Sequence, residues 1–139
     1  MKSLVLDGSA ALGLLLPDER QSPSSRHLRS LLEAEPVLYV PAHWWVELAN
    51  GLIMAERRKR ITLAAGMEML TLIQAFGVTT DDAPPAQTTA ATAALARQQN
   101  LTAYDAAYLE LAIRRGAALA TQDKELLRAA EACGVEHVA

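Results

Sequence analysis

Short apolar runs alternate with longer stretches whose apolar residues recur every three or four positions, and this alternation holds along the whole chain. Ser3-Leu4-Val5-Leu6 is the first run, a short buried strand. Asp7-Gly8-Ser9 opens a helix through Ala10 to Leu16, and Pro17 ends it. Gln21-Ser22-Pro23-Ser24 starts a second helix, with Pro23 suited to its first turn. That helix runs to Ala34 with Leu28, Leu31 and Leu32 on one face. Val37-Leu38-Tyr39-Val40 is a second strand, closed by Pro41. A long helix follows from Ala42 to Lys59, and a fourth runs from the capping residue Thr62 to Gln74. Gly77-Val78-Thr79 is a weak third strand. Pro84-Pro85 begins a helix reaching Arg97 or Gln98. Thr102 caps another, from Ala103 to Arg114, which Gly116 stops. Ala117 to Ala120 is a short buried strand despite its alanines. Asp123 to Ala132 is helical with Gly134 at its C-cap, and Val135 to Val138 is a final strand. Strands that alternate with helices imply a mainly parallel sheet covered on both faces, here a three-layer α/β/α sandwich with right-handed crossovers.

Composition narrows the class. A chain of 139 residues is expected to be one domain, 1–139, with a substantial core. At 51% hydrophobic and 21% charged residues it is globular rather than disordered. Aromatics are only 4%, so Ala and Leu must fill the interior. The one cysteine, Cys133, excludes an internal disulfide and a cysteine zinc cluster. It falls in the apolar pattern Leu126, Leu127, Ala130, Cys133 and reads as a small buried hydrophobe in a reducing cytoplasm. The N-terminus lacks a basic segment leading into an apolar run, and no apolar stretch reaches the roughly 18 residues of a membrane span.

The formal net charge of −3 gives no global attraction for nucleic acid, so any such contact must be local. The run Arg57-Arg58-Lys59-Arg60 is the first candidate for phosphate contact, and Arg20, Arg26 and Arg29 are a second set. A solvated helix end, where cations complement the dipole, explains the run equally well.

Four acids carry the chemistry. Asp7, Glu47, Asp105 and Asp123 each stand where a strand-like run stops or a helix begins. In an α/β fold such positions converge at the carboxyl ends of the strands, where these sheets bind ligands. At about 4 Å and an effective dielectric of about 20, each like-charge pair costs roughly 4 kcal/mol. A fold that gathers them needs a cation, and all-oxygen donors suit Mg2+ or Mn2+. Each acid also has an ordinary role available. Asp7 can cap a helix, Asp105 and Asp123 can complement a helix N-terminus, and Glu47 can be a plain surface glutamate. Capping alone does not account for all four at one edge. Ser9 competes for the capping role or binds a metal-bound water. Asn50 shares a helical face with Glu47 and can orient it. Asp81-Asp82 reads as a solvated or capping loop, and Glu33, Glu35, Glu110, Glu125 and Glu131 as surface charges. The three histidines lack metal-ligand spacing, although His43 stands close enough to Glu47 to touch substrate. No P-loop, dinucleotide fingerprint or nucleophile elbow occurs.

These residues support a resemblance that covers almost the whole length. Leu4-Val5-Leu6-Asp7-Gly8-Ser9, Pro41-Ala42-His43-Trp44-Trp45-Val46-Glu47-Leu48-Ala49-Asn50, Leu101-Thr102-Ala103-Tyr104-Asp105-Ala106 and Leu119-Ala120-Thr121-Gln122-Asp123 follow in the order found in PIN-domain ribonucleases. The chain most resembles the VapC-like toxins of prokaryotic toxin–antitoxin pairs. The resemblance implies a sheet of five strands between helices. It implies that Asp7, Glu47, Asp105 and Asp123 form an acidic pocket for Mg2+ or Mn2+, with Ser9, Thr121 and Asn50 as supporting polar groups. It further implies RNA cleavage, a homodimer, and a cognate antitoxin whose tail covers the groove. Gly8 departs from the family, where bulkier residues are frequent.

The expected chemistry is metal-assisted hydrolysis of RNA phosphodiesters, with Asp7 and Asp105 as an inner pair. The alternative is a PIN-fold module that binds RNA or a partner without cutting. A receiver domain is disfavoured because Gly8 follows Asp7 and no strand-end lysine fits. A phosphatase is disfavoured because the aspartate-x-aspartate motif is absent. The trio Trp44, Trp45 and Leu48, with Leu52 and Ile53, gives more apolar face than one amphipathic helix needs, as core or as a partner groove.

Overall fold

Leu4, Val5 and Leu6 are fully enclosed because they form the middle of a sheet. The computed structural model describes residues Met1–Ala139. Strands β1 (Ser3–Leu6), β2 (Val37–Val40), β3 (Thr79–Thr80), β4 (Ala118–Ala120) and β5 (His137–Val138) lie in the order β3-β2-β1-β4-β5. Every neighbouring pair is parallel, with Leu4 in register with Leu38 and with Ala118. The helices are α1 (Gly8–Leu15), α2 (Pro23–Leu32), α3 (Trp44–Arg57), α4 (Leu63–Ile73), α5 (Pro85–Gln99), α6 (Ala103–Arg115) and α7 (Lys124–Ala132). Helix α1 packs on α2 and α3, and α3 on α4. Helix α6 lies against β1, β2 and β4, flanked by α5 and α7. Right-handed crossovers place the first group on one face of the sheet and the second on the other, which gives the three expected layers.

The strand order reverses between β1 and β4. From β1 the chain steps outward to β2 and β3, then crosses back to β4 and β5. Such a switch point opens a crevice beyond the carboxyl ends of its two strands. The core beneath it joins both faces: Trp44, Leu48 and Leu52 from α3, and Tyr108, Leu109 and Leu111 from α6. Each fully buried leucine is worth about 2 kcal/mol of transfer free energy. The apolar face predicted on the third helix is therefore divided. Trp44, Leu48 and Leu52 are core, whereas Trp45 and Ile53 remain exposed.

Several boundaries differ from the pattern in the sequence, each for a local reason. Helix α1 begins at Gly8 because Asp7, not Ser9, is its N-cap. Helix α2 stops at Leu32, and Glu35 then turns through a left-handed φ of 52°. Strand β3 lies two residues later than expected, because a 3₁₀ turn over Gln74–Phe76 and Gly77 at φ 64° occupy its start. Strand β5 shortens because the Val135 N–H is spent on Ala130 O at the end of α7. Glu110 is not a surface charge: it is buried and paired with Arg114 at 2.8 Å. Asp81 is not simply solvated either. Arg114 at 2.7 Å holds its carboxyl below the usual aspartate range. Cys133 is half-buried rather than fully enclosed.

Candidate active site

The end of β1 and the end of β4 are joined by hydroxyls around one carboxylate. Asp7 follows β1 directly, and its N–H still pairs with Ala120 O at 3.1 Å. Its Oδ1 accepts the Ala10 N–H and the Ser9 hydroxyl, both at 2.8 Å, as the cap of α1. Its Oδ2 accepts the Thr121 hydroxyl from the far strand. Thr121 Oγ1 in turn accepts the Asp123 N–H at 3.0 Å, and Ser9 Oγ accepts the Gln122 N–H at 2.9 Å. Asp7 is only 4% exposed. Burial dominates and pushes its pKa up to about 6; the three hydrogen bonds oppose the shift and the charge of Glu47 adds to it.

Glu47 lies in the first turn of α3, facing Asp7 across the start of α1. The Tyr108 hydroxyl donates to its Oε2 at 3.0 Å, and His43 Nε2 stands 3.6 Å from the same oxygen. His43 is fixed between aromatic edges, 5.9 Å from the ring of Tyr104 and 5.1 Å from that of Tyr108. Its Nε2 also meets Tyr104 O at 3.1 Å.

Asp105 and Asp123 form the second half of the rim. Asp105 is in the first turn of α6, and its N–H donates to the cap Thr102 Oγ1 at 3.2 Å. Burial raises its carboxyl pKa, and the charge of Asp123 raises it further; Thr102 and His43 act the other way. Asp123 caps α7 through Oδ1 alone, at 2.8 Å from the Glu125 N–H and 3.1 Å from the Leu126 N–H. Its other oxygen carries no hydrogen bond.

Asp7 and Asp123 do cap helices, and the four acids are related as two pairs. Asp7 senses Glu47, Asp105 senses Asp123, and His43 faces Glu47 and Asp105. This is a different pairing from an inner couple of Asp7 with Asp105. No three of these side chains close into a ready-made cage. The donor set nevertheless fits a hard divalent cation. It is all oxygen, and no Lys or Arg lies within ion-pair distance of any of the four acids. Two other buried or largely covered acids, Glu110 and Asp81, hold Arg114, and Asp18 and Glu19 share Arg60. Mg2+ commonly uses one or two carboxylates and keeps several waters, so a closed cage is not required.

The polar and basic expectations divide. Ser9 and Thr121 are in the network, whereas Asn50 is exposed and its side chain makes no hydrogen bond. A groove of about 270 Å³ between α1 and α3 leads from Ser9 and Gln122 past Gly51 to Arg58 and Arg60. Arg60 is held by Asp18 at 2.8 Å and Glu19 at 2.6 Å, while Arg57, Arg58 and Lys59 are exposed and unpaired. Arg20 and Arg29 line a cavity of about 500 Å³ with Glu35, Pro36 and Gly77, beside the starts of β2 and β3 and hence at the opposite rim. Tyr108, Gln122 and the close approach of Gly8 to Glu47 were not singled out from sequence. Tyr108 stands one turn beyond Asp105 on the same helical face, which is the signal that points to it.

A parallel sheet with its switch point ringed by carboxylates defines a class, and the family model of the PIN domain matches residues 4–132. The chain belongs to the PIN domain family. It is 32% identical over 123 residues to Ribonuclease VapC3 of Pyrobaculum aerophilum, covering 88% of this chain and 91% of that protein. Among solved structures it is similar to PAE2754 from Pyrobaculum aerophilum, with a TM-score of 0.71 and 25% identity over 98% of this chain and 83% of that one. FitAcB from Neisseria gonorrhoeae shares the fold, with a TM-score of 0.55 and 19% identity over 98% and 96% of the two chains.

Proposed function

We propose that the chain is a divalent-metal-dependent ribonuclease and the toxin of a toxin–antitoxin pair, acting through one PIN-like domain over residues 1–139. Asp7, Glu47, Asp105 and Asp123 are its catalytic and metal-holding residues. One observation carries this reading: Asp7 is buried at the switch point, beside other acids, with no cationic side chain to neutralise it. The relative named Ribonuclease VapC3 supports the RNA substrate and the toxin assignment.

A bound Mg2+ or Mn2+ supplies a water of lowered pKa and offsets charge on the phosphate oxygens. The protein's own part is arrangement. Ser9, Thr121 and the Ala10 N–H fix Asp7 in one orientation, so no side-chain entropy remains to be lost there. The free oxygen of Asp123 and the carboxylate of Asp105 face the same rim and complete an oxygen-lined surface. The phosphate backbone is steered by Arg57, Arg58 and Lys59, with Arg58 at the mouth of the groove that ends at Ser9. Such contacts position RNA without reading its sequence.

The antitoxin and homodimer partners are part of the same reading. Leu63, Met67 and Leu70 form an exposed apolar stripe on α4, with spacing that places them on one face. No helix is long and apolar enough to cross a membrane, and a cytoplasmic setting is proposed with the toxin assignment. The test is a cleavage assay on purified protein with Mg2+, with chelator and with D7N. New RNA ends in Mg2+ alone are expected. RNA that binds but stays intact in every condition overturns the nuclease reading in favour of a non-cleaving module.

A further inference from the structure

Glu47 occupies a seat made by two residues that carry no charge. Tyr108 on α6 is wholly enclosed, and its hydroxyl donates to Glu47 Oε2 at 3.0 Å. Gly8 is the first residue of α1, where helix N–H groups have no partner within the helix. The phenol on α6 therefore holds the carboxylate on α3, and α1 begins at Gly8 against the same carboxylate.

The other oxygen of Glu47 rests where a side chain at residue 8 would begin. A Cβ at Gly8 would lie 2.6 Å from Glu47 Oε1 and 3.1 Å from Cδ. Gly8 does not have a positive φ, so its backbone does not call for glycine. Helix propensity alone would favour alanine there. The bare position is explained by the approach of Glu47.

We propose that Gly8 and Tyr108 are positioning residues that together set where the Glu47 carboxylate stands beside Asp7, and thereby set the affinity of the acidic rim for a divalent ion. This rests on the reading of the four acids as a metal site. Supporting partners of metal-holding side chains commonly govern affinity by tenfold or more. Gly8 acts by what it leaves empty, and Tyr108 by holding Glu47 in the space left.

The test is calorimetric titration of Mn2+ into wild-type protein, G8A, Y108F, E47D and G8A/E47D, with melting of the metal-free proteins in parallel. Y108F is expected to weaken Mn2+ binding about tenfold. G8A is expected to weaken it as much while melting no lower than wild type. In an E47D background, whose shorter carboxylate clears the new methyl, G8A should cost little. That loss of effect is a readout a general packing role would not give. Wild-type affinity in both G8A and Y108F overturns the seat and leaves the metal site standing. An equal loss from G8A with Glu47 and with E47D also overturns it. Wild-type protein that takes up no Mn2+, and is indistinguishable from D7N, overturns the metal reading and the seat with it.

Discussion

Asp7 serves two ends that pull against each other. As a cap it accepts from Ala10 and Ser9, and Thr121 ties it to the neighbouring strand. As a buried carboxylate it is desolvated, and its pKa rises from 3.8 to about 6. The folded protein then binds this proton more tightly than the unfolded chain does. Its contribution to stability is complete below about pH 4 and is lost as pH rises through about 6, a loss of up to about 3 kcal/mol. Asp105 shifts in the same direction, whereas Asp18 and Asp81 are lowered and lose their contribution only at more acidic pH. Denaturant unfolding of the metal-free protein across about pH 4–7 checks this. Wild-type stability should fall relative to D7N, and D7N should be the more stable at neutral pH. A constant difference between the two over that range contradicts the assignment. The acids were legible in the sequence because each is a charged residue where a strand-like run stops or a helix begins, which a linear pattern records. Gly8 and Tyr108 were not, because their roles arise from Glu47, which reaches them only through the packing of α1, α3 and α6.

At the scale of elements, the end of α3 separates four cations that look alike in sequence. The helix ends at Arg57, and Lys59 turns through a left-handed φ of 59°. That turn sends Arg60 back to Asp18 and Glu19, between α1 and α2, and leaves Arg57, Arg58 and Lys59 facing solvent. The first three are the residues proposed to contact RNA, whereas the fourth is taken up by ion pairs. Replacing Arg57, Arg58 and Lys59 with glutamine should reduce the slope of log affinity against log salt by about 2, at about 0.7 per phosphate contact on single strands. Arg60→Gln should instead cost up to about 1 kcal/mol of stability, as exposed ion pairs do, and leave the slope unchanged. An unaltered slope in the triple variant, or an equal change from Arg60→Gln, contradicts this division. The basic run was visible in the sequence, but which member is consumed by ion pairs depends on where Asp18 and Glu19 are carried by the turn after α1. The short edge strands β3 and β5 shifted for a related reason: two-residue strands are placed by the turns before them rather than by their own pattern.

For the whole molecule, the alternation of apolar runs and amphipathic helices was enough to predict a parallel sheet with helices on both faces. The strand order was not written in that alternation. It follows from the long return that carries α5 and α6 back across β2 and β1 to β4, and that return creates the reversal where the acids meet. A net charge of −3 is compatible with an RNA substrate in this arrangement, because negative charge is gathered at the rim and positive charge is offered locally at the groove mouth. Repulsion among Asp7, Glu47, Asp105 and Asp123 at that rim is proposed to be offset by a divalent ion. The most direct measurement is anomalous diffraction from crystals grown in Mn2+. A manganese peak is expected within ligand distance of Asp7 or its rim partners and absent from D7N crystals; wild-type crystals with no peak at that rim would contradict the metal assignment.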